Sequence, residues 1–306
     1  MRNHEGLQRR GSARLSRRVI AALLLALAAG VSMPLGDAVA AEKLRFAVGP
    51  FQPTPGDTKK AYDPFFKHLA GILGRDYELV VTTDWAGIAT ALANGQADVA
   101  WMGPWGYVLA NHEGGAEAIA TVKYDGRPFY HAIIVGRPDL AIAKWPDDAR
   151  GLSISFADVG STSGWLIPTY WFRTQGIDPK TFFKYRDGAS HPANEIAVAN
   201  GQVDLATDFD RNYNSMVERG LIKPEQVKIV WTSDPLPNDP LVVRKGLDPA
   251  LTKTIQDAVV AITEDGAKTI MAARYTGWVA AGHGAYRMIE EAGVAVGKLK
   301  ARQPTN

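Results

Sequence analysis

Apolar positions along this chain fall into short runs separated by stretches in which they recur every three or four residues. The runs at 44–48, 77–81, 97–101, 118–122, 152–156, 203–206 and 227–232 have the length and residue types of strands. A longer apolar run, 129–135, reads as one strand stopped by Gly136-Arg137-Pro138. The intervening patterns predict helices at about 58–73, 85–93 and 193–199, with Asp84 capping the second and Asn94-Gly95 closing it. Helical patterns at 249–271 and 286–291 finish the chain. Strands alternating with helices at this spacing predict an α/β protein with largely parallel sheets.

One repeat organises these elements. Residues 91–100, Ala-Leu-Ala-Asn-Gly-Gln-Ala-Asp-Val-Ala, return as 197–206, Ala-Val-Ala-Asn-Gly-Gln-Val-Asp-Leu-Ala, with seven of ten positions identical at an offset of 106. Helix-to-strand turns converge on such sequences, so coincidence is one reading. The reading adopted is two similarly built α/β lobes. Ligands of open α/β sheets gather at the carboxyl ends of strands. The repeat therefore places 101–105, which includes Gly103, and 207–210 at equivalent positions around a shared cleft. Gly160-Ser161-Thr162-Ser163-Gly164 also follows a strand, 152–156, and opens a helical pattern that stops at Gly176. Ser and Thr are ordinary helix caps. A helix N terminus at a cleft is also an anion site, because its first N–H groups lack intrahelical acceptors.

Composition removes several functions. Five arginines between residues 9 and 18, an apolar stretch at 19–31 and Ala38-Val39-Ala40 have the form of a secretory leader over residues 1–40. Ser16-Arg17-Arg18 adds a weak twin-arginine element. The whole chain of 306 residues holds 34 basic and 32 acidic side chains. Without the leader's six arginines, Glu5 and Asp37, the counts become 28 and 30, so the mature net charge is about −2 and makes no case for nucleic acid. Cysteine is absent, which excludes disulfides, thiol nucleophiles and Cys-ligated metal. The six histidines are scattered, no HExxH, Walker loop or GxSxG elbow occurs, and no base is apparent in sequence for the serines of 161–163. The expectation is a binding protein without cofactor or metal, not an enzyme.

The residues then resemble a known family. Asp-Val-Ala-Trp-Met-Gly-Pro-Trp-Gly-Tyr at 98–107, Ser-Thr-Ser-Gly at 161–164 and Leu-Pro-Asn-Asp-Pro at 236–240 resemble the periplasmic binding proteins of phosphonate, phosphite and hypophosphite ABC importers. Residues 105–109, 120–124, 128–130 and 144–146 look closest to the hypophosphite-binding branch. The resemblance implies a two-lobed, type II-like binding protein, with residues 41–135 and 241–306 in one lobe, 136–240 in the other, and crossovers at 135–138 and 233–240. It implies a periplasmic monomer that hands a small phosphorus oxyanion to a membrane permease and ATPase. Ser161, Thr162 and Ser163 would hold the phosphorus oxygens. Trp85, which replaces a tyrosine common in the family, would pack with Trp105 on the remaining substituent. Asp239 and His191 match ligand-side residues of relatives, although the hypophosphite branch lacks this histidine. Asp208 and Asp210 could receive an ammonium group, in a neighbourhood unlike the aminoethylphosphonate pattern.

On the sequence, the site needs no cationic side chain, and Asp239 would accept a hydrogen bond from a protonated ligand oxygen. Two rivals stand beside this reading: a binding protein for another oxyanion or a sulfonate such as taurine, and an enzyme on the same fold.

Overall fold

The computed structural model describes residues 42–52 and 54–301; the leader assigned to 1–40 lies outside the described residues. The first elements are β1 (Leu44–Val48), α1 (Pro55–Leu73), β2 (Tyr77–Val81), α2 (Trp85–Ala93), β3 (Val99–Trp101), α3 (Pro104–Gly114) and β4 (Glu117–Tyr124). A short strand, β5 (Phe129–Tyr130), leads to β6 (Ala132–Gly136), β7 (Ser153–Ala157), α4 (Ile167–Thr174), the single turn α5 (Pro179–Phe182) and β8 (Lys184–Ala189). Then come α6 (His191–Ala199), β9 (Leu205–Phe209), α7 (Asp210–Glu218) and β10 (Lys228–Thr232). The chain returns through β11 (Leu236–Pro237) to β12 (Pro240–Val243), α8 (Pro249–Val260), α9 (Glu264–Ile270), β13 (Tyr275–Ala280) and α10 (Arg287–Ala295).

Two mixed sheets result, each the core of one lobe. The first has the order β13-β4-β12-β3-β1-β2 and the second β10-β6-β9-β7-β8. In both, the flank built first along its lobe is parallel: β2-β1-β3 in one and β8-β7-β9 in the other. The remaining pairings are antiparallel. This is the expected two-lobed α/β architecture.

The sequence repeat is a structural repeat. Each copy closes a helix, with Gly95 at φ 65° and Gly201 at φ 67°, a left-handed conformation that costs glycine little. Each then enters the strand that pairs with its lobe's first strand. The repeated aspartate pins that pairing. Asp98 accepts the N–H of Arg45 at 3.0 Å, and Asp204 accepts the N–H of Ser153 at 2.8 Å. Asp98 also takes Arg45 Nη2 and Arg244 Nε, each at 2.7 Å, and burial, which opposes its charge, is overcome by these bonds so that its carboxyl lies below the usual range.

Three expectations change. Residues 129–135 are two strands, because His131 interrupts the ladder: β5 pairs with β11 in a two-stranded ribbon, and β6 enters the second sheet. The chain leaves the first sheet after β4 and enters the second at β6, through 125–131, and it returns between β10 and β12 through 233–239. The helical pattern at 249–271 is α8 and α9, since Thr263 starts a new helix by accepting the N–H of Gly266. Strands β8, β12 and β13 carried no readable run: β8 is mostly exposed Lys-Tyr-Arg-Asp-Gly-Ala, β12 begins at a proline, and β13 contains Gly277.

Removing the carboxylate of Asp98 strands two guanidiniums and a backbone N–H. Asp98→Ala is expected to lower the unfolding free energy by about 2 kcal/mol and Asp204→Ala by about half that. Urea unfolding with an unchanged slope measures both.

Candidate ligand-binding site

Four strand ends meet at one cavity. Strand β1 delivers Pro50 and Phe51, β3 delivers Gly103 at the N-cap of α3, β7 delivers the Ser-Thr-Ser turn, and β9 delivers Arg211 in the first turn of α7. Trp85, His191, Tyr130, Phe209, Asn212 and Asp239 complete the wall of a cavity of about 30 Å³. That space suits one compact ion.

The turn is built for an anion. Gly160 N–H donates to Asp158 Oδ1 at 2.9 Å, and Ser161 Oγ caps the following helix by accepting Gly164 N–H at 3.1 Å. Residues 162–166 form a wide π-turn before α4. The N–H groups of Thr162 and Ser163 come first in that turn and lack intrahelical acceptors. Thr162 Oγ1 accepts the N–H of Trp105 at 2.8 Å. Its hydroxyl hydrogen is thereby left to donate, and helix starts from both lobes are tied together. An alanine Cβ at Gly164 would lie 2.3 Å from Ala157 Cβ and 2.8 Å from His191 Cε1, so the turn packs where only glycine fits.

Seven of the nine sequence candidates line the cavity: Trp85, Gly103, Ser161, Thr162, Ser163, His191 and Asp239. Trp85 is pinned by missing side chains, since a Cβ on Gly49 would approach its Cζ3 to 2.3 Å and one on Gly160 its Cβ to 2.8 Å. Its ring stands edge-on to Phe51. Two candidates do not reach the wall. The Trp105 ring packs against Gly293 and its Nε1 donates to Val159 O at 3.3 Å, so only its backbone serves the site. Asp208 is fully buried behind His191, with Oδ1 2.8 Å from Nδ1, and accepts Asn212 Nδ2 at 2.8 Å. It is not placed to receive a ligand ammonium.

The serines do have a base in space. His191 Nε2 lies 2.9 Å from Ser161 Oγ, a pairing hidden by a separation of 30 positions in the chain. Burial pushes the His191 imidazole down to about 4, so it is neutral near pH 7. Burial also lifts the Asp208 carboxyl to about 7, and burial with the adjacent Asp208 lifts that of Glu195 to about 11.

The residue that sequence reasoning missed is Arg211. It is 6 % exposed and lies over the rings of Tyr130 at 4.6 Å and Phe209 at 5.2 Å. Its Nη2 donates to Asp239 Oδ2 at 2.8 Å. Burial opposes its charge, and Asp239 more than compensates, holding the guanidinium protonated. Burial lifts the Asp239 carboxyl while Arg211 pulls it down. Arg211 Nε and Nη1 are buried with no partner among the described residues. The signal was present: the repeat aligned 101–105 with 207–210, and the basic residue is the next one along. A site without a cation was the wrong expectation.

The family described as ABC transporter, phosphonate, periplasmic substrate-binding protein matches residues 46–286. This chain belongs to that phosphonate-binding family. The phosphate-import protein PhnD of Mycolicibacterium smegmatis is 31% identical over 225 residues, covering 68% of this chain and 70% of that protein. The phosphonates-binding periplasmic protein of Escherichia coli is 30% identical over 203 residues, covering 65% and 60% of the two chains. A binding-protein component of an ABC phosphonate transporter from Pseudomonas aeruginosa superposes with a TM-score of 0.74 at 26% identity, covering 82% of this chain and 85% of that one. Proteins of this family bind solutes for import, so Ser161 and His191 stand at a ligand cavity of a binding-protein fold. The branch within the family is left open by these likenesses.

With its pKa pushed down by burial, His191 is expected to keep the chemical shifts of a neutral ring from pH 8 to about pH 5.5, where a free histidine of pKa about 6.5 would be mostly protonated. Ring-selective NMR of the ligand-free protein measures this.

Proposed function

We propose that this chain is the exported, periplasmic solute-binding component of an ABC importer and captures a reduced phosphorus oxyanion, meaning phosphite, hypophosphite or a small phosphonate. The leader over 1–40 supports the location, and the family supports delivery to a permease and its ATPase. The observation that carries the ligand class is the Arg211 guanidinium, buried with two unpartnered donors beside the N–H groups and hydroxyls of Thr162 and Ser163. A buried donor left without an acceptor costs roughly 1–3 kcal/mol. An oxyanion oxygen removes that cost.

Selectivity follows from the carbon in the wall. Pro50, Phe51 and Trp85 offer apolar surface to the fourth substituent of a tetrahedral ion. A P–H or P–C bond loses little there, whereas the fourth oxygen of phosphate or sulfate would be desolvated without a donor. Asp239 adds a second filter that favours phosphite and phosphonates, because it accepts a hydrogen bond from a protonated phosphorus oxygen, which sulfonates and hypophosphite lack near neutral pH. The lobes would close over the ion by bending at 125–131 and 233–239.

A thermal-shift panel of phosphite, hypophosphite, methylphosphonate, phosphate and sulfate tests this. A ligand at a hundred times its Kd stabilises by about 2.7 kcal/mol, which is about 5 °C or more for a chain of this size. At least one reduced phosphorus compound is expected to give that shift and phosphate a smaller one; an equal response to phosphate removes the selectivity argument.

Calorimetry on variants tests the residues. Asp239→Ala is expected to cost far more affinity than Asp210→Ala, whose carboxylate accepts the N–H of Arg211 at 2.8 Å and stands off the cavity wall. Arg211→Gln is expected to cost roughly ten- to a hundred-fold, the scale of a charge-assisted hydrogen bond.

A further inference from the structure

Next to the inner cavity lies a larger one of about 290 Å³. Phe51, Pro192, Phe209, Arg211 and Asn212 border both. The same guanidinium that faces the oxyanion site therefore also faces this chamber. The remaining wall includes Tyr62, Tyr124, Tyr275, Ser215, Gln52 and Arg219, and no aspartate or glutamate.

The chemistry of that wall is one-sided. Arg211 brings Nε and Nη1 that lack partners among the described residues. Among the described residues the Arg219 side chain donates to the Gln52 amide oxygen, at 3.4 Å, and no carboxylate lies within ion-pair distance of it. The neighbouring Glu218 is taken by Arg274 at 2.6 Å. Burial raises the Tyr62 and Tyr275 hydroxyls above their ordinary range, so these groups stay neutral. Asp239 already matches the charge of Arg211, so Arg219, with amides, hydroxyls and no carboxylate in the wall itself, gives a lining that disfavours an ammonium group and welcomes a carboxylate. Arg211 and Arg219 lie eight residues apart on α7 and its C-terminal cap, about 12 Å along the axis.

We propose that the outer chamber is the subsite for the organic substituent of a phosphonate whose far end carries a carboxylate, with the phosphonate head in the inner cavity and the carboxylate on Arg219. The inference rests on the phosphorus-oxyanion reading and narrows it to a substrate class. It also opposes aminoethylphosphonate as ligand: the carboxylates that such a ligand needs are absent from the chamber, and Asp208 is withdrawn behind His191.

Calorimetry with methylphosphonate, 3-phosphonopropionate and 2-aminoethylphosphonate on the full mature protein decides it. The carboxylated compound is expected to bind about tenfold tighter than methylphosphonate, the scale of one charge-assisted hydrogen bond, and the amino compound more weakly than either. In Arg219→Gln the affinity ratio of 3-phosphonopropionate to methylphosphonate is expected to fall toward one, a readout that cancels any general loss of lobe contact through Gln52. Binding of methylphosphonate with no carboxylate advantage, or a ratio unmoved by Arg219→Gln, overturns this inference and leaves the phosphorus reading standing. Failure of every phosphorus compound to bind overturns both.

Discussion

A guanidinium and a carboxylate, Arg211 and Asp239, stand 2.8 Å apart and almost wholly withdrawn from water at the base of the cleft. Burying two charges is expensive, and a pair offsets that expense only when the remaining donors and acceptors are also satisfied. One donor of Arg211 meets Asp239, while its aromatic neighbours offer ring faces and no lone pairs of comparable strength. The cleft is thus incomplete as a piece of protein chemistry. An anion completes it. The helix start at 161–164 and the hydroxyls around it point to the same need, so affinity here is the removal of a deficit built into the fold.

The deficit exists because two lobes of the same construction face each other. Each presents helix N termini at the carboxyl ends of its parallel strands, and each holds two of those strands in register with an aspartate, Asp98 or Asp204, on the neighbouring strand's backbone. The lobes are joined by the ribbon of β5 and β11, which is short enough to keep both sets of helix starts at one cavity. Thr162 and the backbone of Trp105 join across that meeting. Asp239 comes from the return crossover, so the segment that joins the lobes supplies part of the cavity wall.

Behind this front lies a layer that orients it. His191 is buried, neutral and held between Ser161 and Asp208, and Asn212 and Glu195 occupy the far side of Asp208. Ser161 accepts from Gly164 and faces the His191 ring nitrogen, so its hydroxyl is already engaged. The polar groups that remain on the cavity wall are Thr162, Ser163, Arg211 and Asp239. A serine near a histidine invites comparison with hydrolases, yet here the pair forms part of a helix cap in a family of solute carriers.

Local chemistry written in consecutive residues was legible without a structure. The caps at Asp84 and Ser161, the left-handed glycines closing the repeated helices and the buried runs of β1, β3 and β7 each depend on neighbours in sequence. The repeat even gave the relation between lobes, because similar local pieces fold into similar local units. Tertiary structure alone decided four matters: that Arg211 pairs with Asp239 across 28 residues, that His191 meets Ser161 across 30, that Asp208 turns inward and that the Trp105 ring turns away. These are contacts between side chains on different elements, set by how the sheets pack. Edge strand β8, with its exposed polar residues, and β12, hidden behind prolines, were unreadable for the same reason. Their pairing comes from partners distant in the chain; β8 carries no buried run, and the buried run of β12 is only three residues long after its proline.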